Sequence, residues 1–195
     1  MTTIKKATRV HLEGAGDVTL RPNDYVTSGG EGAIYRKASH VIKLYTDTKK
    51  MTRDGMPDKL SRLSSIQHPY IISPLGLVTN RKSPIGFYMH YVDSGEPLPR
   101  VFTNDFRTRS GFTDSHASTL VARMREVYEV GHQHGALLVD ANEFNWLMVV
   151  GSEPEPRIID VDSWAIGRWP AQVIMPSIRD YHTKGFTQES DWFSW

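Results

Sequence analysis

The chain has 195 residues, of which 39% are hydrophobic and 23% are charged, and this ordinary globular composition argues against long disordered segments. The 23 basic and 22 acidic residues nearly cancel, so charge predicts no nucleic-acid-binding surface, and the absence of cysteine excludes disulfides and thiolate metal sites. No apolar run approaches the roughly 18 residues that span a bilayer, and the N-terminal residues lack a signal-peptide core, so we expect a soluble cytoplasmic protein with no membrane partner.

The first elements predict an antiparallel meander followed by a helix. Residues 24–27 and 33–36 flank a glycine-dense turn and are expected to form two short strands. The β-branched run at residues 40–45 predicts a third strand. Beyond Gly55 the apolar residues take a helical period, and Pro57 suits the first turn of a helix.

Two more strands and a long helix are predicted next. Residues 75–78 and 85–92 read as strands, the second of them aromatic and almost continuously apolar. A helix capped by Ser115 is expected to follow. Its apolar face consists of Leu120, Met124, Val127 and Gly131. Five strands with one helix, and then a mainly helical portion, predict an α+β fold in two lobes.

Oxygen-bearing side chains cluster in the second half of the chain. Asp140 and Asn145 are five residues apart, just before an apolar run typical of a strand. The run IIDVD at residues 158–162 follows after a polar turn, so two short strands could bring Asp140, Asn145 and Asp160 together. Phosphoryl transfer needs one carboxylate for the attacking hydroxyl and further oxygen ligands for magnesium. The sequence therefore predicts a site of that kind.

The order of these parts resembles that of the protein kinase-like superfamily, from about residue 24 to the end of the chain. The IDVDS-type segment is most similar to divergent bacterial and phage kinase-like proteins. The resemblance implies a bilobal protein kinase-like fold. Residues 1–92 would form an N-lobe with a five-stranded antiparallel sheet and one helix, and residues 93–195 an abbreviated, mainly helical C-lobe. The resemblance implies that this lobe lacks its later helices, either because the chain is cut short or because it is a naturally abbreviated form.

The resemblance also implies a nucleotide site in the first lobe. Gly29, Gly30 and Gly32 would lie against the phosphates, with Thr27 in place of the first glycine of the family loop, and Lys43 would contact the same phosphates. The adenine would lie against Met89, Tyr91 and Val92. An ordinary hairpin turn and a lysine pointing to solvent are the alternatives. Asp58 is the acid that would pair with Lys43.

In the second lobe the resemblance implies that Asp140 orients the acceptor hydroxyl. Asn145 would bind magnesium together with Asp160, and Asp162 is the second choice for the metal aspartate. We expect Asp160 and Asp162 to point the same way from one strand, with a cation between them.

Several residues depart from the family pattern. Leu138 and Val139 replace the usual His-Arg, and Asn142 replaces the lysine typical of serine/threonine kinases, which puts a protein-hydroxyl acceptor in doubt. His132 is expected to be a packing residue and Asp191 the first-turn aspartate of a buried helix. The aromatic residues at 192–195 are expected to be exposed and to seek a partner surface.

The leading hypothesis from the sequence is an ATP- and magnesium-dependent phosphotransferase of unknown acceptor, with a protein serine or threonine as one candidate. Lys43, Asp140, Asn145 and Asp160 favour this enzyme. The alternative is a pseudokinase that binds nucleotide or a protein partner without catalysis. The altered loop residues and the missing helices favour that second hypothesis.

Overall fold

The computed structural model describes residues 4–171 and 173–195, and the chain divides into two compact units. The first unit comprises Met1–Ser65 and Ser73–Tyr91. The second comprises Ile66–Ile72 and Val92–Trp195. Each unit combines strands with helices, so the protein is of the α+β class.

The first unit is built on a seven-stranded sheet in which all neighbouring strands run antiparallel. Its strands are β1 (Thr8–Leu12), β2 (Gly16–Leu20), β3 (Tyr25–Ser28), β4 (Gly32–Lys37), β5 (His40–Tyr45), β6 (Gly76–Asn80) and β7 (Ser83–His90). Their order across the sheet is β2-β1-β6-β7-β5-β4-β3, so β2 and β3 form the two edges.

The β1–β2 hairpin forms because its apolar residues alternate with polar ones. Val10 and Leu12 on β1 and Leu20 on β2 are buried in a core shared with other strands of the sheet, while the intervening residues are exposed or half-buried. Gly14 and Gly16 have φ values of 76° and 88°, and glycine adopts this left-handed conformation without a steric penalty.

Two short helices join β5 to β6. Helix α1 (Thr48–Arg53) begins where the Asp47 side chain accepts a hydrogen bond from the backbone N–H of Lys50, and α2 (Met56–Ser64) follows after Gly55 in the left-handed conformation. The helical period predicted beyond Gly55 is confirmed, with Leu60 and Leu63 buried. Strand β5 also has the predicted bounds.

The second unit contains four helices and five short strands within its described residues. The helices are α3 (Leu98–Val101), α4 (Asn104–Ser110), α5 (Asp114–Gln133) and α6 (Gln188–Ser194). The strands are β8 (Gly95–Pro97), β9 (Ala136–Leu137), β10 (Trp146–Val149), β11 (Glu155–Ile158) and β12 (Ala165–Ile166). They form one sheet in the order β11-β10-β8 and a second sheet that pairs β12 with β9.

Helix α5 packs against β9, β11 and α6 in the second unit. Its N-cap is Thr113, whose side chain accepts a hydrogen bond from the backbone N–H of His116, and not Ser115 as the sequence predicted. Leu120, Val127 and Tyr128 are buried along one face. Burial raises the pKa of the Tyr128 phenol to about 12, so this residue packs as a neutral aromatic ring at physiological pH.

The predicted architecture, a bilobal kinase-like fold with a five-stranded first lobe and a mainly helical second lobe, is wrong. Residues 8–20 add the β1–β2 hairpin to the sheet, and β1 pairs with β6. The second unit owes much of its framework to antiparallel strand pairs as well as to helices. Among the described residues, no helix is both long and apolar enough to cross a membrane.

The pKa of His68, in the second unit, reports on the burial of its ring and on the nearby Glu126 carboxylate. Its ring lies against Tyr70 at 5.0 Å between ring centroids, and its Nδ1 accepts a hydrogen bond from the Tyr70 backbone N–H at 3.3 Å. Burial lowers the pKa of His68 below its ordinary value, while the Glu126 carboxylate, 3.8 Å from Nε2, opposes this shift and Arg157 adds to it. Because the folded state favours the neutral ring, this residue's contribution to stability is present above pH 6.5, the ordinary pKa. It is lost as the pH falls through the lower folded value.

We therefore expect Glu126→Gln to lower the pKa of His68 further. NMR titration of the His68 ring protons measures this shift directly. Glu129→Gln is the matched control, because Glu129 lies on the same helix but pairs with Arg125. A His68 pKa that is equal in wild type and Glu126→Gln would show that the carboxylate does not act on the ring.

Candidate functional site

The loop that follows β9 is held by a buried carboxylate. Oδ1 of Asp191, in the first turn of α6, accepts a hydrogen bond from the Val139 backbone N–H at 2.9 Å, and Oδ2 accepts one from the Leu138 N–H at 2.8 Å. His132 Nε2 lies 2.9 Å from the same Oδ2. Asp191 is only 1% exposed, so three contacts to polar groups compensate for the burial of its carboxylate.

The backbone of this loop is strained where it approaches Asp140. Val139 has a φ of 58°, which is an outlier for a β-branched residue, and the Asp140 N–H donates to the Leu138 carbonyl at 2.7 Å in a three-residue turn. Such a conformation costs about 1–3 kcal/mol and persists only where the surroundings hold it. The Asp191 hydrogen bonds provide that restraint, immediately before the predicted catalytic carboxylate.

Gly131 allows helix α5 to approach the same loop closely. A Cβ atom at this position would lie 2.7 Å from Cδ1 of the fully buried Leu138. Gly131→Ala is therefore expected to destabilise the protein by about 1 kcal/mol, because overpacking outweighs the higher helix propensity of alanine. The change is measured by urea unfolding.

The Leu138→Ala background reverses the expected sign of the Gly131 substitution. The clashing Cδ1 atom is then absent, so Gly131→Ala should stabilise the protein by about 1 kcal/mol through helix propensity alone. Equal effects of Gly131→Ala in the two backgrounds would show that Leu138 is not the obstacle.

Asp140 and Asn145 are joined through the backbone of Asp140. The Asn145 side chain donates from Nδ2 to the Asp140 carbonyl at 2.7 Å, and the Met175 backbone N–H donates to Asp140 Oδ1 at 2.7 Å. Asn142 caps the 3-10 helix Glu143–Asn145 by accepting from the Phe144 N–H. The carboxylate of Asp140 is thus oriented from one side, and Asn142 has a structural role in the same loop.

The β10–β11 hairpin brings Asn145 and Asp160 to the same end. Trp146 pairs with Ile158 at that end of the ladder, and the Ile159 N–H donates to the Asn145 carbonyl at 2.9 Å. At the opposite ends of the loops that bear Asn145 and Asp160, β9 pairs with β12. Residues 138–145 and 159–164 are therefore held by a strand ladder at each end.

Asp160 and Asp162 do not lie on one strand, so the prediction that they point the same way from a strand is wrong. β11 ends at Ile158, and Asp160 takes a left-handed conformation with φ 61° just before the 3-10 helix Val161–Ser163. Asp160 is half-buried, whereas Asp162 is 2% exposed. In the described part of the chain no three His, Asp or Glu side chains form a metal-binding group. The predicted set contains two carboxylates and the amide of Asn145.

Lys43 is buried within the first unit. Its side chain is 7% exposed, which excludes the alternative of a lysine pointing to solvent. Nζ lies 3.7 Å from Oε2 of Glu31, and it lies 5.7 Å and 6.0 Å from the ring centroids of Tyr45 and Phe87. Asp58 is exposed in the first turn of α2. Sequence reasoning missed Glu31, because an acidic residue in a turn usually serves only as a solvated surface residue.

The glycines at positions 29, 30 and 32 differ in whether the surrounding structure requires a glycine. A Cβ at Gly32 would lie 2.5 Å from the Leu44 carbonyl oxygen, so strand packing requires that glycine. At Gly29 and Gly30 a Cβ would meet no described atom within 4 Å beyond the chain neighbours, and neither residue has a positive φ. Packing and a positive φ therefore do not require glycine at these two positions.

The residues predicted to contact adenine belong to different units. Met89 is buried on β7 opposite Val41 of β5, and Tyr91 donates its N–H to the Ser39 carbonyl at 2.8 Å. The Arg36 guanidinium covers the Tyr91 ring at 3.7 Å from its centroid. Val92 is half-buried and is assigned to the second unit.

The C-terminal aromatic residues are partly exposed. Phe193 is 58% and Trp195 43% exposed, while Trp192 stacks on the Tyr128 ring at 5.6 Å between centroids. Arg125 lies over the rings of both tryptophans. A partner at this segment stays a prediction.

No protein-family model matches the chain, and no match to a curated protein was found. The chemistry of the site must therefore be inferred from its own residues. The second unit presents hard oxygen donors on two anchored loops, and the first presents a buried ammonium beside a glycine-rich turn.

Proposed function

We propose that the protein is an ATP- and Mg²⁺-dependent phosphotransferase that transfers a phosphoryl group to an alcohol. The observation that carries the proposal is the pair of loops that bears Asp140, Asn145 and Asp160. The two loops are fixed by strand ladders at both ends, and Asn145 is bonded to the backbone of Asp140. Phosphoryl transfer depends mainly on positioning and charge stabilisation, which rigid placement of oxygen ligands favours.

In this proposal Asp140 orients the acceptor hydroxyl. The hydrogen bond from the Met175 N–H to Oδ1 orients its carboxylate from one side. Asn142, which caps the 3-10 helix, stands where the resemblance places the lysine of serine/threonine kinases, so the proposed acceptor is an alcohol that is not restricted to protein hydroxyls. A protein serine or threonine is one candidate.

Asn145 and Asp160, with Asp162 as the second choice of aspartate, would hold Mg²⁺. Carboxylate and amide oxygens are the donors that Mg²⁺ prefers in proteins. The Asn145 amide nitrogen is used by the Asp140 carbonyl, which leaves the amide oxygen as the atom that would bind the metal. When bound, the metal would neutralise charge on the nucleotide phosphates.

Most of the residues proposed to contact the nucleotide belong to the first unit. The unexplained glycines at 29 and 30, with Gly32 and the buried ammonium of Lys43, suit phosphate groups. The adenine would lie against Met89, Tyr91 and Val92. The resemblance to kinase-like proteins in the order of these motifs supports the proposal, which we extend to a cytoplasmic protein because ATP is the substrate.

A second candidate is a pseudokinase that binds nucleotide without catalysis. The hydrogen bond between the Met175 amide and Asp140 favours this alternative, because it engages one of the two oxygens that would meet the acceptor. Binding of ATP without any transfer would be the result that this candidate predicts.

Two measurements test the proposed function. A thermal shift with ATP, with and without Mg²⁺, reports binding, because a ligand that prefers the folded state raises stability. Incubation with γ-³²P-ATP, using the protein itself, added proteins and water as acceptors, reports transfer. Absence of a thermal shift would contradict both candidates, and a shift without transfer would leave the second.

A further inference from the structure

Glu31 places a carboxylate next to the buried ammonium of Lys43. Oε2 of Glu31 is 3.7 Å from Nζ, and the Glu31 side chain is 52% exposed whereas that of Lys43 is 7% exposed. The Thr46 N–H donates to the Glu31 carbonyl at 2.9 Å, which fixes the backbone from which this carboxylate extends. Glu31 is one of several contacts of Lys43.

This arrangement has an electrostatic consequence for any phosphate that binds Lys43. A buried ammonium is stabilised by a nearby anion, and Glu31 contributes that charge in the structure. A phosphate at the same ammonium would bring a second anion close to the first, and like charges at such distances repel. Because Glu31 is half exposed, its side chain can turn into solvent at little cost.

We propose that Glu31 competes with nucleotide phosphates for Lys43 and so weakens ATP binding. The inference depends on the proposed function, since it takes ATP phosphates as the ligand of Lys43. In this proposal the phosphates, and not the nucleoside, displace the Glu31 carboxylate from Lys43.

The test compares Glu31→Gln with wild type by isothermal titration with ATP and, separately, with adenosine. Glu31→Gln should bind ATP roughly fivefold more tightly, because it removes the competing charge while keeping the size of the side chain. Adenosine carries no phosphate, so its affinity should not change. The gain for ATP should shrink at high salt, which screens the repulsion.

Asp17→Asn is the matched control. It makes the same change in net charge in the same unit, but Asp17 lies on β2, at the opposite edge of the sheet from β3 and its glycine turn. Its affinity for ATP should equal that of wild type.

The possible results distinguish a failure of the Glu31 proposal from a failure of the proposed function. Equal ATP affinity in wild type and Glu31→Gln would overturn the inference and leave the proposed function intact. Tighter binding of adenosine as well would also overturn it, because the competition would then not involve phosphate. Failure of every variant to bind ATP would overturn the proposed function and the inference with it.

Discussion

Asp140→Asn is expected to reduce phosphoryl transfer by about 100- to 10,000-fold while ATP affinity stays within about twofold of wild type. The substitution keeps the shape of the side chain and an oxygen that can accept from the Met175 N–H, so the loop should retain its conformation. It removes the charge that would orient the acceptor hydroxyl. Transfer of ³²P and titration with ATP measure the two quantities separately.

Asp105→Asn is the control for charge. Asp105 belongs to the same unit and is largely exposed, where it pairs with Arg109, so its substitution should leave both transfer and ATP affinity unchanged. Transfer by Asp140→Asn at the wild-type rate would show that Asp140 has no part in the chemistry. Loss of ATP binding in Asp140→Asn would instead place this residue at the nucleotide.

The sequence predicted those strands and helices that are determined by the local pattern of side chains. The run at residues 40–45 is β-branched and became β5 with the expected bounds. The hairpin at residues 8–20 was overlooked, although the burial of Val10, Leu12 and Leu20 follows the two-residue period of a strand. A turn with two glycines interrupts the alternating pattern of this hairpin, and each of its strands is only five residues long.

The site was less predictable where its geometry comes from the backbone. The hydrogen bond from Met175 to Asp140 uses a main-chain N–H, which leaves no trace in residue type. Val139 and Asp160 both take left-handed conformations, although the sequence predicted an extended strand around Asp160 and a β-branched residue such as Val139 rarely adopts a positive φ. Asp191, which the resemblance implied to be the first-turn aspartate of a buried helix, does lie in the first turn of α6 and is 1% exposed.

Asp191→Ala is expected to lower the free energy of unfolding by about 3–5 kcal/mol, as measured by urea unfolding. The substitution leaves the backbone N–H groups of Leu138 and Val139 without their acceptor, and it removes the contact of His132. A buried polar group that loses its partner costs about 1–3 kcal/mol, and the three losses are not additive.

Glu189→Ala, in the same turn of α6 but exposed, should unfold close to the wild-type midpoint. Hydrogen exchange gives a local readout that overall stability does not: the amides of Leu138 and Val139 should be protected in wild type and Glu189→Ala and exchange rapidly in Asp191→Ala. Because the strained turn at Val139 depends on these bonds, its relaxation would also misplace Asp140 and reduce transfer by about 100-fold. Unchanged protection of both amides in Asp191→Ala would mean that another part of the protein holds the loop in its strained conformation.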